Sequence, residues 1–348
     1  MAGLVAAARA RQLGKPVRLL EKGDRPGGSM LLSSGVVWRY RSLELFREQC
    51  PAGDPALQTL VQERLDDALD WLEGLGAPVL TRDSGNPLTA GRRFDTHGLT
   101  EALVRAGVEP ELRAGPPPEN DVLVLATGGF QGDRTLVEEH IHPAGRLPLR
   151  ANPWSAGDGL RLGRGRGAAL VGPLDEFYGR AMPAVEAIAP ERFVGAAQLY
   201  GRFARVVDLE GKPLDLEPSW SELDLVQAIA RRPEGRAWYV LEEAALAERV
   251  RDRTVAEMVA VAEELGAPIV PPEELGLEGA VAVQVEAWIT HTIGGLAIDG
   301  QARVLDGAAE PVPGLYAAGV DAGGLAGGGY ASGLAAALVL GLVAAERA

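Results

Sequence analysis

Met1–Ser34 reads MAGLVAAARARQLGKPVRLLEKGDRPGGSMLLSS. Gly3 opens a run of small, helix-favouring residues, Leu4 to Leu13, that stops at Gly14. The apolar segment Val17 to Leu20 reads as a short strand, and Glu21 closes it. Glu21 stands 18 residues after Gly3. In a dinucleotide-binding βαβ unit the third glycine of G-x-G-x-x-G lets the first helix pack closely on the sheet. A carboxylate about 20 residues later accepts the ribose hydroxyls. The first strand and the first two glycines of that fingerprint are not in this sequence, so the expectation is a chain truncated within the motif. Alone, the pattern would fit an ordinary helix–strand pair. The stretch after Glu21 adds weight. Asp24-Arg25-Pro26-Gly27-Gly28-Ser29 and Ser33-Ser34-Gly35 are small and polar. Such segments bring backbone N–H groups and hydroxyls close to phosphate oxygens.

Six further segments stand out. Asp121 to Phe130 (DVLVLATGGF) reads as a strand buried on both faces of a parallel sheet, ending in a glycine turn. Asn152 to Gly159 (NPWSAGDG) leads into a helix. Ile289 to Asp299 (ITHTIGGLAID) is followed by Pro313 to Asp321 (PGLYAAGVD) and by a glycine-rich loop, Gly323 to Gly329. The last apolar run, Leu334 to Ala345, is too short to span a bilayer and reads as a buried helix. Ser332 is placed to cap it.

In this order the segments resemble the flavoprotein family of fumarate reductase and succinate dehydrogenase flavoprotein subunits, which includes the 3-ketosteroid dehydrogenases. The resemblance implies an α/β chain: a Rossmann-like FAD-binding domain, its first strand missing, with an inserted α+β substrate cap. The boundaries expected are residues 1–175 and 288–348 for the FAD domain and 176–287 for the cap. It implies FAD contacts at Gly3, Glu21, Lys22, Gly27, Gly28, Ser29, Ser33, Ser34, Gly35, Ala126, Thr127, Gly128, Gly129 and Asp158. Gly319, Asp321, Ser332, Gly333 and Leu334 complete that set. No histidine occurs between Met1 and Tyr40, so the FAD is expected to be noncovalent.

The chemistry implied is an FAD-dependent dehydrogenase or reductase of CH–CH groups, moving a hydride between flavin N5 and a carbon next to a carbonyl or carboxylate. A helix N-terminus under the flavin pyrimidine ring would stabilise the negative charge that accompanies reduction. His291, in the HTxGG segment, is the candidate for substrate contact. Two departures stand against fumarate itself. Where relatives carry a proton-donating arginine the sequence has Ser221, and where they carry a carboxylate-clamping arginine it has Tyr330. Tyr330 is therefore the candidate for polarising a ketone, as in ketosteroid dehydrogenases. Arg180 and Arg202, in the paired segments Tyr178-Gly179-Arg180 and Tyr200-Gly201-Arg202, are candidates to hold a polycarboxylate of the tricarballylate kind or to supply an acid. A non-catalytic flavoprotein remnant is the reading from another class.

Composition agrees with a globular enzyme. Of 348 residues 47% are hydrophobic and 24% charged, and the net charge of −14 argues against nucleic-acid or anionic-membrane partners. The partner expected is a small carboxylate or ketone, together with an unidentified electron donor or acceptor. The lone Cys50 rules out an intrachain disulfide and suits the cytoplasm. His140 and His142 stand beside Glu138 and Glu139, but no further ligands converge on them and no metal is expected.

Between these motifs, Pro55 to Leu75 carries an apolar helical stripe, and Glu109 to Asn120, with Pro116-Pro117-Pro118, reads as an exposed connector. Leu241 to Leu265 includes long helical stretches rich in Ala, Glu, Arg and Val.

Overall fold

The computed structural model of the chain describes residues 1–118, 121–141 and 146–348. It divides into two compact units. The first comprises Met1–Asp133, Asn152–Glu176 and His291–Ala348; the second comprises Arg134–Ala151 and Phe177–Thr290.

In the first unit the opening helix, Ala2–Gln12, buries an alanine-rich face. Ala6 and Ala10 pack with Ala345 of the last helix, Gly333–Arg347, and Arg9 pairs with Glu346 at 2.9 Å. Small side chains permit this close approach of two helices. Leu123–Leu125 pairs in parallel with Pro311–Ala317, which pairs antiparallel with Arg303–Leu305. A separate antiparallel sheet joins Val36–Tyr40, Thr89–Phe94 and Val79–Thr81. The helix Pro55–Gly74 starts on an Asp54 cap and buries Leu57, Val61, Leu65, Ala68, Leu69 and Leu72, the stripe its sequence shows.

The second unit is built on an antiparallel sheet. The long strand Val281–Thr292 pairs with Arg236–Leu241, Ile269–Val270 and Phe177–Pro183, and Arg236–Leu241 pairs in turn with Arg205–Val207. Val207, Trp238, Val240 and Ala282 form a core cluster. The long strand's last two residues, His291 and Thr292, belong to the first unit.

Three elements differ from the sequence reading. The expected strand at Val17–Leu20 is Leu20–Glu21, and its partner comes from the expected connector: Glu111–Leu112, in parallel. The Arg18–Glu111 ion pair at 2.8 Å and the Glu111 N–H to Leu19 carbonyl bond hold them together. Pro116 to Pro118 follow, where prolines have no N–H to offer. Secondly, the strand expected to be buried on both faces is short and half-buried; only Leu125 is buried and Val122 is 61% exposed. Thirdly, the helical stretches expected within Leu241 to Leu265 are present but separated, as a 3-10 turn, Glu243–Ala247, and the helix Val255–Glu264. A hairpin, Arg249–Val250 with Arg253–Thr254, turns at a left-handed Arg251 before the helix Val255–Glu264. That helix begins at a capping box of Thr254 and Glu257, which fixes its start.

Candidate cofactor and active site

The motifs of the first unit converge on one buried carboxylate. Asp321 is 3% exposed. It accepts hydrogen bonds from the Thr127 backbone N–H and hydroxyl and from the Gly129 N–H, the last at 2.9 Å. Thr127 Oγ1 in turn accepts the Gly159 N–H at 3.0 Å. The segments ATGGF, GDG and AAGVD are thus tied into one knot. Burial pushes the Asp321 carboxyl up, against the N–H donors that hold it down.

Gly129 shows what this knot frames. Its φ is +85°, and a Cβ there would lie 2.6 Å from Thr292 Oγ1 and 2.8 Å from Gln131 Oε1. Both oxygens are buried without a hydrogen-bond partner among the described residues. The glycines' own backbone groups are spent inside the protein: the Gly129 N–H donates to Asp321, its carbonyl accepts the Gly157 N–H, and the Gly128 carbonyl accepts from Gln131 Nε2, so the two orphaned oxygens are the groups left for a polar ligand edge.

The opening stretch takes its place beside it. Gly3 faces Leu19 and Ala126 across a close helix–strand contact. Glu21 ends its strand, and one carboxylate oxygen accepts the Gly23 N–H at 2.7 Å. Lys22 and Asp158, both expected to meet the cofactor, pair with each other at 2.6 Å near the surface. Gly27 precedes a short 3-10 turn, Gly28–Leu32, and Ser29 Oγ accepts the Asn152 N–H at 3.2 Å. Ser33 donates to the Met30 carbonyl and accepts from the Gly35 N–H, so its hydroxyl is spent on the turn; the Ser34 carbonyl is held by Arg93.

At the last helix Ser332 is the cap: its hydroxyl accepts the Ala335 N–H at 3.2 Å. Gly333 and Leu334 begin the helix, ahead of its first internal hydrogen bonds, and their N–H groups carry the positive end of its dipole. His291 lies over this end. Its Nε2 is 3.2 Å from the position a Cβ on Gly333 would take, and its Nδ1 lies 3.0 Å from the Thr292 carbonyl. Desolvation lowers the imidazole pKa, opposed by the Thr292 contact, so the ring is neutral at pH 7. Gly319 packs between Ala2 and Ala337 at the side of the same helix. Tyr330 joins an aromatic cluster: its ring meets Trp38 at 5.4 Å and its carbonyl accepts the Tyr40 hydroxyl at 2.7 Å.

The comparisons with known proteins bear on this arrangement. A family model described as an FAD binding domain matches residues 1–116 and 119–334. The chain belongs to that FAD binding domain family. A probable fumarate reductase of Shewanella frigidimarina (strain NCIMB 400) is 24% identical over the whole chain and 73% of its own length. Among solved structures, the open conformation of a flavocytochrome c3 fumarate reductase aligns with a TM-score of 0.70 and 20% identity, covering 99% of this chain and 76% of that one. The 3-ketosteroid Δ1-dehydrogenase of Sterolibacterium denitrificans aligns with a TM-score of 0.72 and 15% identity, covering 99% and 97%. FAD is the cofactor, and the protein is an FAD-dependent oxidoreductase with the fold of these enzymes.

The residues of the FAD domain fit that cofactor. Two orphaned polar atoms and a strand-end carboxylate at Glu21 suit the hydrogen-bonding groups of a dinucleotide, and a capped helix N-terminus suits its anionic charge. Among the described residues no helix is long and apolar enough to cross a membrane. No group of three or more His, Cys, Asp or Glu side chains is placed to hold a metal among them. His140 lies 3.8 Å from Glu139, and His142 is outside the described residues.

In the second unit Arg180 and Arg202 take different roles. Arg180 is buried, donates to the Ser221 carbonyl and stacks its guanidinium 5.0 Å from the Tyr178 ring centroid. The Arg202 side chain is exposed and lies over Phe203, while its backbone N–H donates to Glu222 Oε1 at 3.2 Å. Both arginines act electrostatically on Glu222, which the sequence reading missed. A single glutamate carries no motif; its burial is set by tertiary packing.

Proposed function

We propose that this FAD-dependent oxidoreductase interconverts a C–C single bond and a C=C bond next to a carbonyl or carboxylate. When bound, FAD supplies two-electron chemistry at flavin N5. The supporting observation is the seating of neutral His291 over the N-terminus of the last helix, a hydrogen-bonding group beside a fixed positive dipole.

In this reading Glu21 orients the adenosine ribose, and the turn from Gly27 to Gly35 lines the pyrophosphate. The dipole of Gly333 and Leu334 favours the reduced, anionic ring system. His291 orients the substrate's oxygen. The second unit is the substrate cap and supplies the groups that handle protons. A cytoplasmic location belongs to the same proposal and is supported by the single buried thiol, Cys50.

A ketone is favoured over fumarate as substrate. Ser221 and Tyr330 replace the two arginines that a dicarboxylate reductase of this family carries, and Tyr330 sits among Trp38 and Tyr40, an apolar aromatic setting. The test is reconstitution with FAD followed by anaerobic spectroscopy. Flavin bands that bleach with a saturated 3-ketosteroid, or a dithionite-bleached flavin that recovers with an unsaturated one, support the reading. Bands that respond to fumarate alone overturn the ketone preference, and a polypeptide that takes up no FAD overturns the enzyme.

A further inference from the structure

The glycine turn that follows Leu123–Leu125 commits its backbone to the protein and leaves side-chain oxygens over. The Gly129 N–H goes to Asp321 Oδ1, and the Gly129 carbonyl takes the Gly157 N–H at 2.9 Å. Gln131 Nε2 donates to the Gly128 carbonyl at 2.8 Å. That bond fixes which way the amide faces, so its other end is an acceptor, Oε1. Neither Gln131 Oε1 nor Thr292 Oγ1 has a hydrogen-bond partner among the described residues. Gln131 is 4% exposed and Thr292 2%, so water at the surface does not serve them.

The two oxygens meet at Gly129. The place a Cβ would take there is 2.6 Å from Thr292 Oγ1 and 2.8 Å from Gln131 Oε1, with Val320 Cγ1 also at 2.6 Å. At Gly128 the same place is 2.6 Å from Ser155 Oγ. Both glycines have positive φ, +93° and +85°. Gln131, Ser155, Thr292 and Val320 all belong to the first unit. Leaving a buried oxygen unpaired is costly, and proteins keep such atoms where another group completes them.

The chemistry of these oxygens selects the group that fits. An amide oxygen only accepts, and so does a phosphate oxygen, which makes Gln131 Oε1 a poor neighbour for the pyrophosphate. An O–H or N–H suits it. FAD carries such donors on the ribityl chain and at N3 of the isoalloxazine, and others on the adenosine. Thr292 directly follows His291, whose ring lies over Gly333 at the start of the last helix. Glu21, the carboxylate assigned to the adenosine ribose, closes a different strand. We propose that Gln131 Oε1 and Thr292 Oγ1 are acceptors for a donor on the riboflavin half of FAD, either a ribityl hydroxyl or the ring N3–H. The choice of half rests on the proposed place of the flavin ring at that helix.

Thr292→Val removes the hydroxyl and keeps the shape of the side chain. Without FAD the variant loses only an unpartnered oxygen, so its Tm should equal or exceed that of wild type. With FAD it loses a hydrogen bond, and Kd should rise about tenfold. Thr292→Ser restores the hydroxyl and should restore the wild-type Kd. In competition titrations riboflavin should weaken along with FAD, and ADP should not. Calorimetric titration and thermal unfolding of the whole chain read all of these. A wild-type FAD affinity in Thr292→Val overturns the proposal. So does a Tm without FAD that falls in Thr292→Val and recovers in Thr292→Ser, which would place the hydroxyl's partner inside the protein. Weakened ADP with unchanged riboflavin would put the donor on the adenosine half and overturn it equally. Should Thr292→Val not fold, Gln131→Met removes the other oxygen and is read on the same ligands. A wild type that binds neither FAD nor riboflavin overturns the cofactor reading itself, an outcome distinct from a variant that binds as wild type does.

Discussion

Asp321 and Thr127 lie 194 positions apart and are joined twice, through the Thr127 N–H and through its hydroxyl. The same carboxylate holds the Gly129 N–H, so one side chain from the last third of the chain fixes the turn beyond a central strand. Asp321→Ala would leave buried donors without acceptors, at a cost of about 2 to 4 kcal/mol. Thr127→Val removes the hydroxyl donor to Asp321 and the acceptor of the Gly159 N–H, and should cost about 2 kcal/mol. Because the two share one bond, the double variant should be less destabilised than the sum of the singles. Urea unfolding of the four proteins measures this. Strict additivity would show that the knot does not act as a unit.

Gly23 lies beneath Trp154. A Cβ at residue 23 would stand 2.6 Å from the indole ring. Gly23→Ala should therefore displace Trp154 or strain the Glu21 turn, costing about 1 to 3 kcal/mol. Since Gly23 N–H is the donor to Glu21, FAD affinity should fall with it. Isothermal titration with FAD, alongside tryptophan emission, tests the pair of effects. An unchanged affinity would separate Glu21 from nucleotide binding.

Much of the first unit was legible because its signals are local. Ser332 caps the last helix as its place before an apolar run implies, and the stripe from Leu57 to Leu72 packs as its spacing implies. Less legible was anything set by distant chain. Glu111–Leu112 is a strand only because Leu20–Glu21 lies alongside it. Asp321, expected to meet the cofactor, spends its carboxylate on Thr127 and Gly129, and only the fold could bring those groups together. The hairpin at Arg251 interrupts a composition that otherwise favours helix. Glu222 combines burial with a left-handed backbone, and neither property is written in its neighbours.

Cys50 is fully buried, and desolvation pushes its thiol up to about 12, with Glu176 adding to the effect and Tyr40 opposing it. The neutral thiol therefore persists through the whole physiological range, and at pH 8 only about one molecule in ten thousand carries the thiolate. The native protein should be inert to iodoacetamide at that pH and should react fully once unfolded in guanidinium. Rapid native labelling, read by intact mass, would place Cys50 in a mobile segment instead.

Covalent attachment of a flavin requires a nucleophilic side chain at its ring system. The sequence holds four histidines: His97, His140, His142 and His291. His97 lies in the helix Thr96–Ala106, and His291 Nδ1 faces the Thr292 carbonyl while its ring contacts the start of the last helix. No histidine lies between Met1 and Tyr40, beside the small polar loop, and Cys50 is a buried neutral thiol, so the FAD should be noncovalent. Acid precipitation of the reconstituted protein should release all of the flavin to the supernatant and leave a colourless pellet. A yellow pellet whose flavin migrates with the polypeptide on a denaturing gel would refute this, and a flavin-bearing peptide in its digest would identify the attachment residue.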